Sequence, residues 1–481
     1  MVNRNKLLKN LFWKFSERIS AQLITTIMTI ILARILEPSH YGIISIVTIF
    51  ITIANVFVSD GLGSALIQKK EADDLDFSSV LYFNIGLSIV LYFALFLVAP
   101  YIHYFYGNEY EIVTPILRVL GLRLILCAVN SVQQAYIAKQ MIFKKFFLAT
   151  ILGTVISAFV GITMAYKGLG VWSLVAQYLT NATIDTVVLG ITLKKKILKR
   201  FSWSRIKELY GFGTRILGTN LLITVYLELR ALIIGKLYTS TDLAYYDQGR
   251  KYPNLIVSNI NTSIGAVLFP QMSNEQDDLN KIKMITRTSI RFSSFLMCPM
   301  MLGLMVVAET FVRVVLTEKW ISCVPLLQMF CIIYLFQPIH TANLQSIKAM
   351  GKGNVYLRLE IIKKSIEVVV LLLTMFISVK AIVIGIAVCT TVFTFVNAYP
   401  NIKLLNYNFK EQLSDIIPAL VRSVIMAVIV YLVGKLDINL IILLCIQIFV
   451  GLLTYIIICV GTRCSELLFI LQFIRQYLKK I

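Results

Sequence analysis

Two apolar runs near the middle of the chain, residues 209–235 and 242–270, carry Arg215, Glu228, Arg230, Asp247, Arg250 and Lys251 within or against them. On insertion scales a charge at the centre of a membrane helix costs about 2.5–3.5 kcal/mol. Repeating that cost makes sense where the helices face a water-filled cavity, whereas a charge near a helix end can snorkel to the surface. Arg230 stands close enough to the helix end at Gly235 for either, at about 8 Å of helical rise. An arginine offers two parallel N–H donors and so suits an oxyanion such as phosphate.

The charges fall into stripes. Arg18, Gln22, Thr25 and Thr29 recur at three- and four-residue spacing on the first run, hence on one face. Arg215, Thr219, Tyr226 and Arg230 share a face of the seventh, with Glu228 about 200° around from Arg230 and grouped with Asn220 and Thr224. Arg250, Lys251 and Asn254 extend the eighth. Glu360, Lys363, Lys364 and Glu367 form a further face, on which Glu360–Lys364 and Lys363–Glu367 are expected to pair four residues apart. The fifth run offers Thr150, Gly153 and Ser157 at the matching place. Small polar residues also serve as contacts between membrane helices, so the threonine, asparagine and glutamine members have two readings. Arg118, Arg123 and Arg422 are weaker candidates.

Composition says what positions these groups. Of 481 residues 58% are hydrophobic, 15% are charged, and mean hydropathy is +0.79. That much apolar surface calls for an all-α integral membrane protein. The eight cysteines and three histidines show no ligand spacing, so neither disulfides nor a metal is expected, and no cofactor. The net charge of +21 is accounted for by basic cytoplasmic loops, without nucleic acid.

Hydropathy predicts fourteen spans: 12–36, 41–67, 78–102, 113–137, 145–166, 170–193, 209–235, 242–270, 285–315, 321–347, 355–378, 381–403, 415–433 and 438–461. With the N-terminus inside, inner segments hold 29 Lys and Arg and outer turns five, which places both termini in the cytoplasm. One missed span would invert half the loops and erase the bias. Lys194–Tyr210 and the tail after Cys464 mix basic and apolar residues and suit the surface of the anionic inner leaflet.

The two halves repeat. At an offset of 210 residues Pro115 meets Pro325, Arg118 meets Gln328, Asn130 meets His340 and Gln133 meets Asn343. Two six-helix lobes of like orientation, 1–200 and 201–410, are expected to be related by a parallel pseudo-two-fold, with two C-terminal helices and a tail in 411–481. Parallel repeats mark transporter folds with a substrate path between the halves.

The stretches ILARILEPSHYG (31–42), DGLGSALIQKKE (60–71), GLGVWSLVAQ (168–177), LRALIIGKLY with LAYYDQGRKYPN (229–254) and SIGAVLFPQMS (263–273) resemble the oligosaccharide flippases. These are Wzx-type polysaccharide-biosynthesis exporters in the superfamily that also holds multidrug and toxin extruders. The resemblance runs from about residue 11 to 460. It implies a bilobed fourteen-helix fold in the cytoplasmic membrane and alternating access. It further implies translocation of a polyprenyl-diphosphate-linked oligosaccharide for lipopolysaccharide O-antigen, capsule or exopolysaccharide. Many members carry an acidic residue where Arg230 stands, so cation coupling at that position does not carry over.

Such a substrate leaves its lipid in the bilayer, and the protein need shelter only the diphosphate and sugars. Arg18, Gln22, Arg215, Arg230, Arg250, Lys251 and Asn254 are the candidate contacts; Glu228, Glu360, Lys363, Lys364 and Glu367 are candidate coupling or cavity charges. Besides the glycolipid and membrane lipids, a proton or sodium gradient and polysaccharide assembly proteins complete the expected partners. A cation-coupled extruder is the competing class, although basic candidates favour an anionic substrate. A membrane-embedded polymerase would need convergent catalytic groups and a large outer loop, and the longest outer segment, 103–112, is short. No GxxxxGK[ST] loop occurs to drive a nucleotide-powered pump, and no enzyme is expected.

Overall fold

A computed structural model of the chain describes residues 4–69, 71–107, 110–193, 198–275, 278–469 and 472. Among them the helices, joined across short breaks, make fourteen rods and no strand occurs. In order they are α1 (Arg4–Ile35), α2 (Pro38–Gln68), α3 (Asp74–Tyr106), α4 (Val113–Gln140), α5 (Phe143–Tyr166), α6 (Val171–Leu193) and α7 (Trp203–Leu237). There follow α8 (Ser240–Asn274), α9 (Leu279–Val315), α10 (Glu318–Ala349), α11 (Gly353–Thr374), α12 (Val379–Leu405), α13 (Phe409–Val433) and α14 (Leu440–Gly461). Among the described residues, twelve rods are long and apolar enough to cross a membrane. The other two, α8 and α11, are rods whose charges the sequence reading singles out.

Helix starts follow local chemistry. Asp73 and Asp76 close a reciprocal capping box at the head of α3. Ser378, Asn408 and Asn439 cap α12, α13 and α14 by accepting from main-chain N–H groups. Three rods are interrupted: α2 at Asp60–Gly61, α4 at Leu122 and α10 at Phe336.

The chain divides into two compact units, Met1–Ala244 and Tyr245–Ile481. This division falls beyond the expected lobe boundary at 200, because α7 packs against α2 and α3. The amphipathic linker explains it. Lys194–Ile197 lie outside the described residues, but Trp203–Tyr210 form the first turns of α7. Ile206 and Leu209 are buried there with Leu62, Leu66, Phe77, Val80 and Val132, while Phe201, Trp203 and Tyr210 stay exposed, so this half of the linker turns one face to the core and the other outward. Of the tail, residues 465–469 are helical, and 470, 471 and 473–481 lie outside the described residues.

In the first unit α5 and α6 pack along their length, with α1 against α5. Small residues set the close crossings. A Cβ on Gly42 would lie 1.7 Å from the carbonyl oxygen of Ser240, and one on Gly61 would lie 3.3 Å from that of Gly213. In the second unit α9 packs against α10, α13 and α14, so the two C-terminal helices share its core through Phe295, Val307, Met426, Val430, Leu444 and Tyr455. α3 turns Val90, Phe93, Leu97 and Tyr101 outward at helical spacing, as a lipid-facing strip requires.

Candidate functional site

The first unit holds a polar, half-open cavity of about 470 Å³ among α2, α4, α5 and α6. From α2 come Asn55, Ser59, Asp60 and, past the break, Ser64. The interruption at Asp60–Gly61 lets the chain change direction where Gly61 meets Gly213. α4 contributes Arg123, just after its own break, and then Asn130, Ser131 and Gln134 on successive turns. α6 contributes Asn181 and Asp185, four residues apart and so on one face. Phe143 and Phe146 at the head of α5 supply an apolar wall.

Gly153 makes the room for Asp185. A Cβ at that glycine would stand 2.0 Å from Asp185 Oδ1, so only a hydrogen fits against the carboxylate. Part of the amide and hydroxyl lining is fixed in place: Ser59 Oγ donates to Asn55 Oδ1 at 3.1 Å, Asn84 Nδ2 donates to Ser131 Oγ at 3.3 Å, and Gln134 donates to Asn130. The guanidinium of Arg123 lies over the Tyr178 ring at 5.5 Å, and its buried Nε has no hydrogen-bond partner. Two carboxylates, Asp60 and Asp185, and the Arg123 guanidinium are the ionisable groups of the lining. Its amides and hydroxyls both donate and accept, the chemistry that matches a polyhydroxylated ligand.

The sequence-derived candidates lie elsewhere. In the first unit Arg18 is exposed and Gln22 half-buried on α1. Arg215 is in α7, with its side chain outside the described residues. Arg230 Nη2 donates to Tyr226 Oη at 3.0 Å and lies over the same ring, while Glu228 is half-buried on that helix. In the second unit Arg250 pairs with Asp247 at 3.7 Å, Lys251 is half-buried and Asn254 exposed. On α11 the ion pairs are Lys363–Glu360 at 2.6 Å and Lys364–Glu367 at 3.3 Å, at three-residue spacing where four is expected. Lys363 is buried where it pairs with Glu360.

Asp60, Asn181 and Asp185 escape the sequence reading, and Arg123 enters it only as a weak candidate. A signal is there: Asp185 is an acid inside an apolar span, which marks a functional group by default. The position of Gly153 opposite it on α5 is a tertiary fact that no local pattern carries.

Residues 31–325 match the family described as polysaccharide biosynthesis protein. The chain is 24% identical over 362 residues to the lipopolysaccharide biosynthesis protein WzxC of Escherichia coli (strain K12), covering 74% of this chain and 70% of that one. It is 21% identical over 356 residues to the succinoglycan biosynthesis transport protein ExoT of Rhizobium meliloti (strain 1021), covering 74% and 71%. Among solved structures it is similar in fold to the Lipid II flippase MurJ in an inward closed conformation, with a TM-score of 0.75, 14% identity, and coverage of 94% and 99%. The matched stretch takes in more than half of the chain and every motif quoted above, and the chain belongs to the polysaccharide biosynthesis protein family.

Proposed function

We propose that this protein flips polyprenyl-diphosphate-linked oligosaccharide repeat units from the inner to the outer leaflet of the cytoplasmic membrane, by alternating access, for surface polysaccharide synthesis. The observation that carries the reading is a cavity lined by amides, hydroxyls and carboxylates inside a bundle of membrane-spanning helices of this family. Ionisable groups within membrane spans mark a substrate path by default. The names of WzxC and ExoT, and the fold shared with MurJ, support it.

In this reading the lipid stays in the bilayer and no bond of the substrate is made or broken. Arg18, Arg215, Arg230, Arg250 and Lys251 are the proposed contacts for diphosphate, and Gln22 and Asn254 for adjoining hydroxyls. A proton or sodium gradient is the proposed drive, with Glu228, Glu360, Lys363, Lys364 and Glu367 as candidate responding charges. Both termini are proposed to be cytoplasmic.

A cation extruder is the second reading, because Asp60 and Asp185 would suit an organic cation. Deleting the gene separates the two. The flippase reading expects lipid-linked oligosaccharide to accumulate, surface polymer to vanish and susceptibility to cationic drugs to stay unchanged. Normal polymer with raised drug susceptibility would reverse the conclusion.

A further inference from the structure

A smaller, half-open cavity of about 130 Å³ lies in the second unit, where α13 begins and α14 gives way to the tail. Charges of both signs line it: Arg291 from α9, Asp415 and Arg422 from α13, and Glu466 from the tail, with the exposed Ser414 and Ser465 beside them. Asp415 is already served, since it accepts from Nε and Nη2 of Arg287 and from Nε of Arg291. Arg422 and Glu466 meet through a thiol. Arg422 Nη1 donates to Cys464 Sγ at 3.2 Å, and that Sγ donates to Glu466 Oε2 at 3.0 Å. A thiol is a weak partner for either charge. Arg422 also stands about 10 Å of helical rise beyond Asp415 along α13, inside an apolar span, which marks a functional group by default. The surface alongside is apolar: Leu413, Ile417 and Val421 are exposed at four-residue spacing, each one position before the lining residues Ser414, Pro418 and Arg422. Leu468 and Phe469 of the tail are exposed as well, and the Phe469 ring packs edge-on against Phe292 of α9.

We propose that this cavity seats the phosphoethanolamine headgroup of a resident membrane lipid, with its phosphate on Arg422 and Arg291, its ammonium on Glu466, and its acyl chains along the strip of Leu413, Ile417 and Val421. The proposal concerns a lipid that stays in place and does not depend on what the protein transports. Each guanidinium has five N–H donors, and the bonds to Asp415 and Cys464 use only part of them. A phosphate takes up such a fork, and an ammonium on Glu466 makes a hydrogen bond charged on both sides. Phosphatidylcholine carries no N–H on its ammonium, and phosphatidylglycerol brings no cation for the carboxylate. The volume equals that of about four waters at roughly 30 Å³ each, which suits two small ions and not a sugar chain. A headgroup held this way ties the tail at Glu466 to α9 and α13.

The test titrates the full chain in detergent with short-chain phosphatidylethanolamine, phosphatidylglycerol and phosphatidylcholine, and reads bound lipid by native mass spectrometry. The wild type is expected to bind phosphatidylethanolamine at least about tenfold more tightly than either of the others, as one charge-assisted bond gives. Glu466→Gln should bring phosphatidylethanolamine down to the level of phosphatidylglycerol, because the amide keeps the shape and loses the charge. Arg422→Gln should weaken both phospholipids alike, since both present a phosphate to it. Equal binding of the three lipids by the wild type overturns the proposal, as does a preference for phosphatidylglycerol or one that survives Glu466→Gln. Arg313→Gln, near the other end of α9, is the control for removing a charge, and an equal loss there would mean unspecific attraction and also overturn it. Soluble phosphoethanolamine separates the two sources of this headgroup: if it binds as tightly as the lipid, the apolar strip has no part and the lipid assignment fails. Should Arg422→Gln not fold, Ser465→Leu serves instead; it fills the cavity from an exposed position and must lower phosphatidylethanolamine binding to the phosphatidylcholine level.

Discussion

Arg118 and Gln328, 210 residues apart, make the same bond in the two units. Arg118 Nε donates to the main-chain carbonyl of Phe96 at 3.3 Å, and Gln328 Nε2 donates to that of Met305 at 3.2 Å. Each ties one rod to the rod before it, α4 to α3 and α10 to α9. The repeat legible in the sequence is therefore a repeat of function for these two side chains, and the function is helix contact. The Arg118 guanidinium adds a second contact to the same helix, lying 4.1 Å from the centre of the Phe96 ring.

Arg118→Gln should then be tolerated, with a melting temperature in detergent close to that of the wild type. Arg118→Leu should lose about 0.5–1.5 kcal/mol, the net worth of one such bond. Thermal unfolding of the two variants side by side checks it. Equal loss in both would assign Arg118 a role that needs its charge.

Asp415 is the hub of an ion-pair cluster in the second unit. Its side chain is 0% exposed, accepts from Arg287 Nε at 2.8 Å, Arg291 Nε at 2.6 Å and Tyr407 Oη at 2.8 Å, and binds α13 to α9. Breaking a fully buried pair costs about 3–5 kcal/mol. Here both arginines are partly exposed and can turn to water, so Asp415→Asn should cost about 1–3 kcal/mol. Adding Arg287→Met to Asp415→Leu should recover part of the loss seen with Asp415→Leu alone, which a denaturation series would show. Additive losses would mean that Arg287 contributes by packing and not through the pair.

At the head of α7 the charges gather around the buried Asp76, and their pH response is different. Lys69 pairs with Asp76 at 3.0 Å and Glu208 at 2.9 Å, and Arg205 pairs with Asp73 at 3.1 Å. Main-chain donation from Asp76, with Arg205 nearby, holds Asp73 below its ordinary value, and the Lys69 hydrogen bond does the same for Glu208. Burial opposes the charge on Lys69, yet its bonds to Glu208 and Asp76 prevail and raise its pKa. Depressed carboxylates lose their contribution as pH falls through their folded values, below about 4. The raised lysine loses its contribution only above about 10.5. Hydrogen exchange at residues 203–210 should thus be flat, after correction for intrinsic rate, from pH 5 to 9 (roughly the gap between those limits) and should rise on acidification below it. A change near neutrality would point to another titrating group.

The rods are legible because hydropathy and loop charge act over twenty residues at a time, and local noise averages out. Even α8 and α11, which fall short on apolarity, are placed by the alternation of basic and neutral turns around them. The site is less legible. Asp185 depends on Gly153, and Asp60 stands at a break where Gly61 meets Gly213 on a helix far along the chain. Lys363 shows the same limit on a smaller scale: helical spacing allows either carboxylate, and in the fold it pairs with Glu360. Spacing tells which groups share a face; only packing tells what the face meets.

Orientation follows from the loop charges. A reporter fused after Lys199 or Ile481 should read cytoplasmic, and one after Gly107 or Thr239 external. An external signal at Lys199 would remove the basis for fourteen crossings.

Gly153 gives the sharpest test of the cavity, because one methyl group can be added without touching charge. The Cβ of Gly153→Ala would lie 2.0 Å from Asp185 Oδ1 and 3.3 Å from the carbonyl oxygen of Asn181. The first atom ends a short side chain that can rotate away, carrying with it the Cγ that would stand 2.9 Å off, and the second is a tight backbone contact that the helices can relieve by a few tenths of an ångström. The carboxylate should therefore move while the helices stay paired, so stability should fall by no more than about 1–3 kcal/mol, as for overpacking. Gly86→Ala is the control, since nothing lies within 4 Å of a Cβ there, and helix propensity favours alanine by up to about 1 kcal/mol. Surface polymer, measured against membrane abundance, should fall at least about tenfold in Gly153→Ala, the effect of misplacing a positioned group, and remain normal in Gly86→Ala. If Gly153→Ala lowers abundance and polymer in step, the glycine serves packing between α5 and α6 alone. Polymer at the wild-type level would mean that the position of the Asp185 carboxylate does not matter to transport.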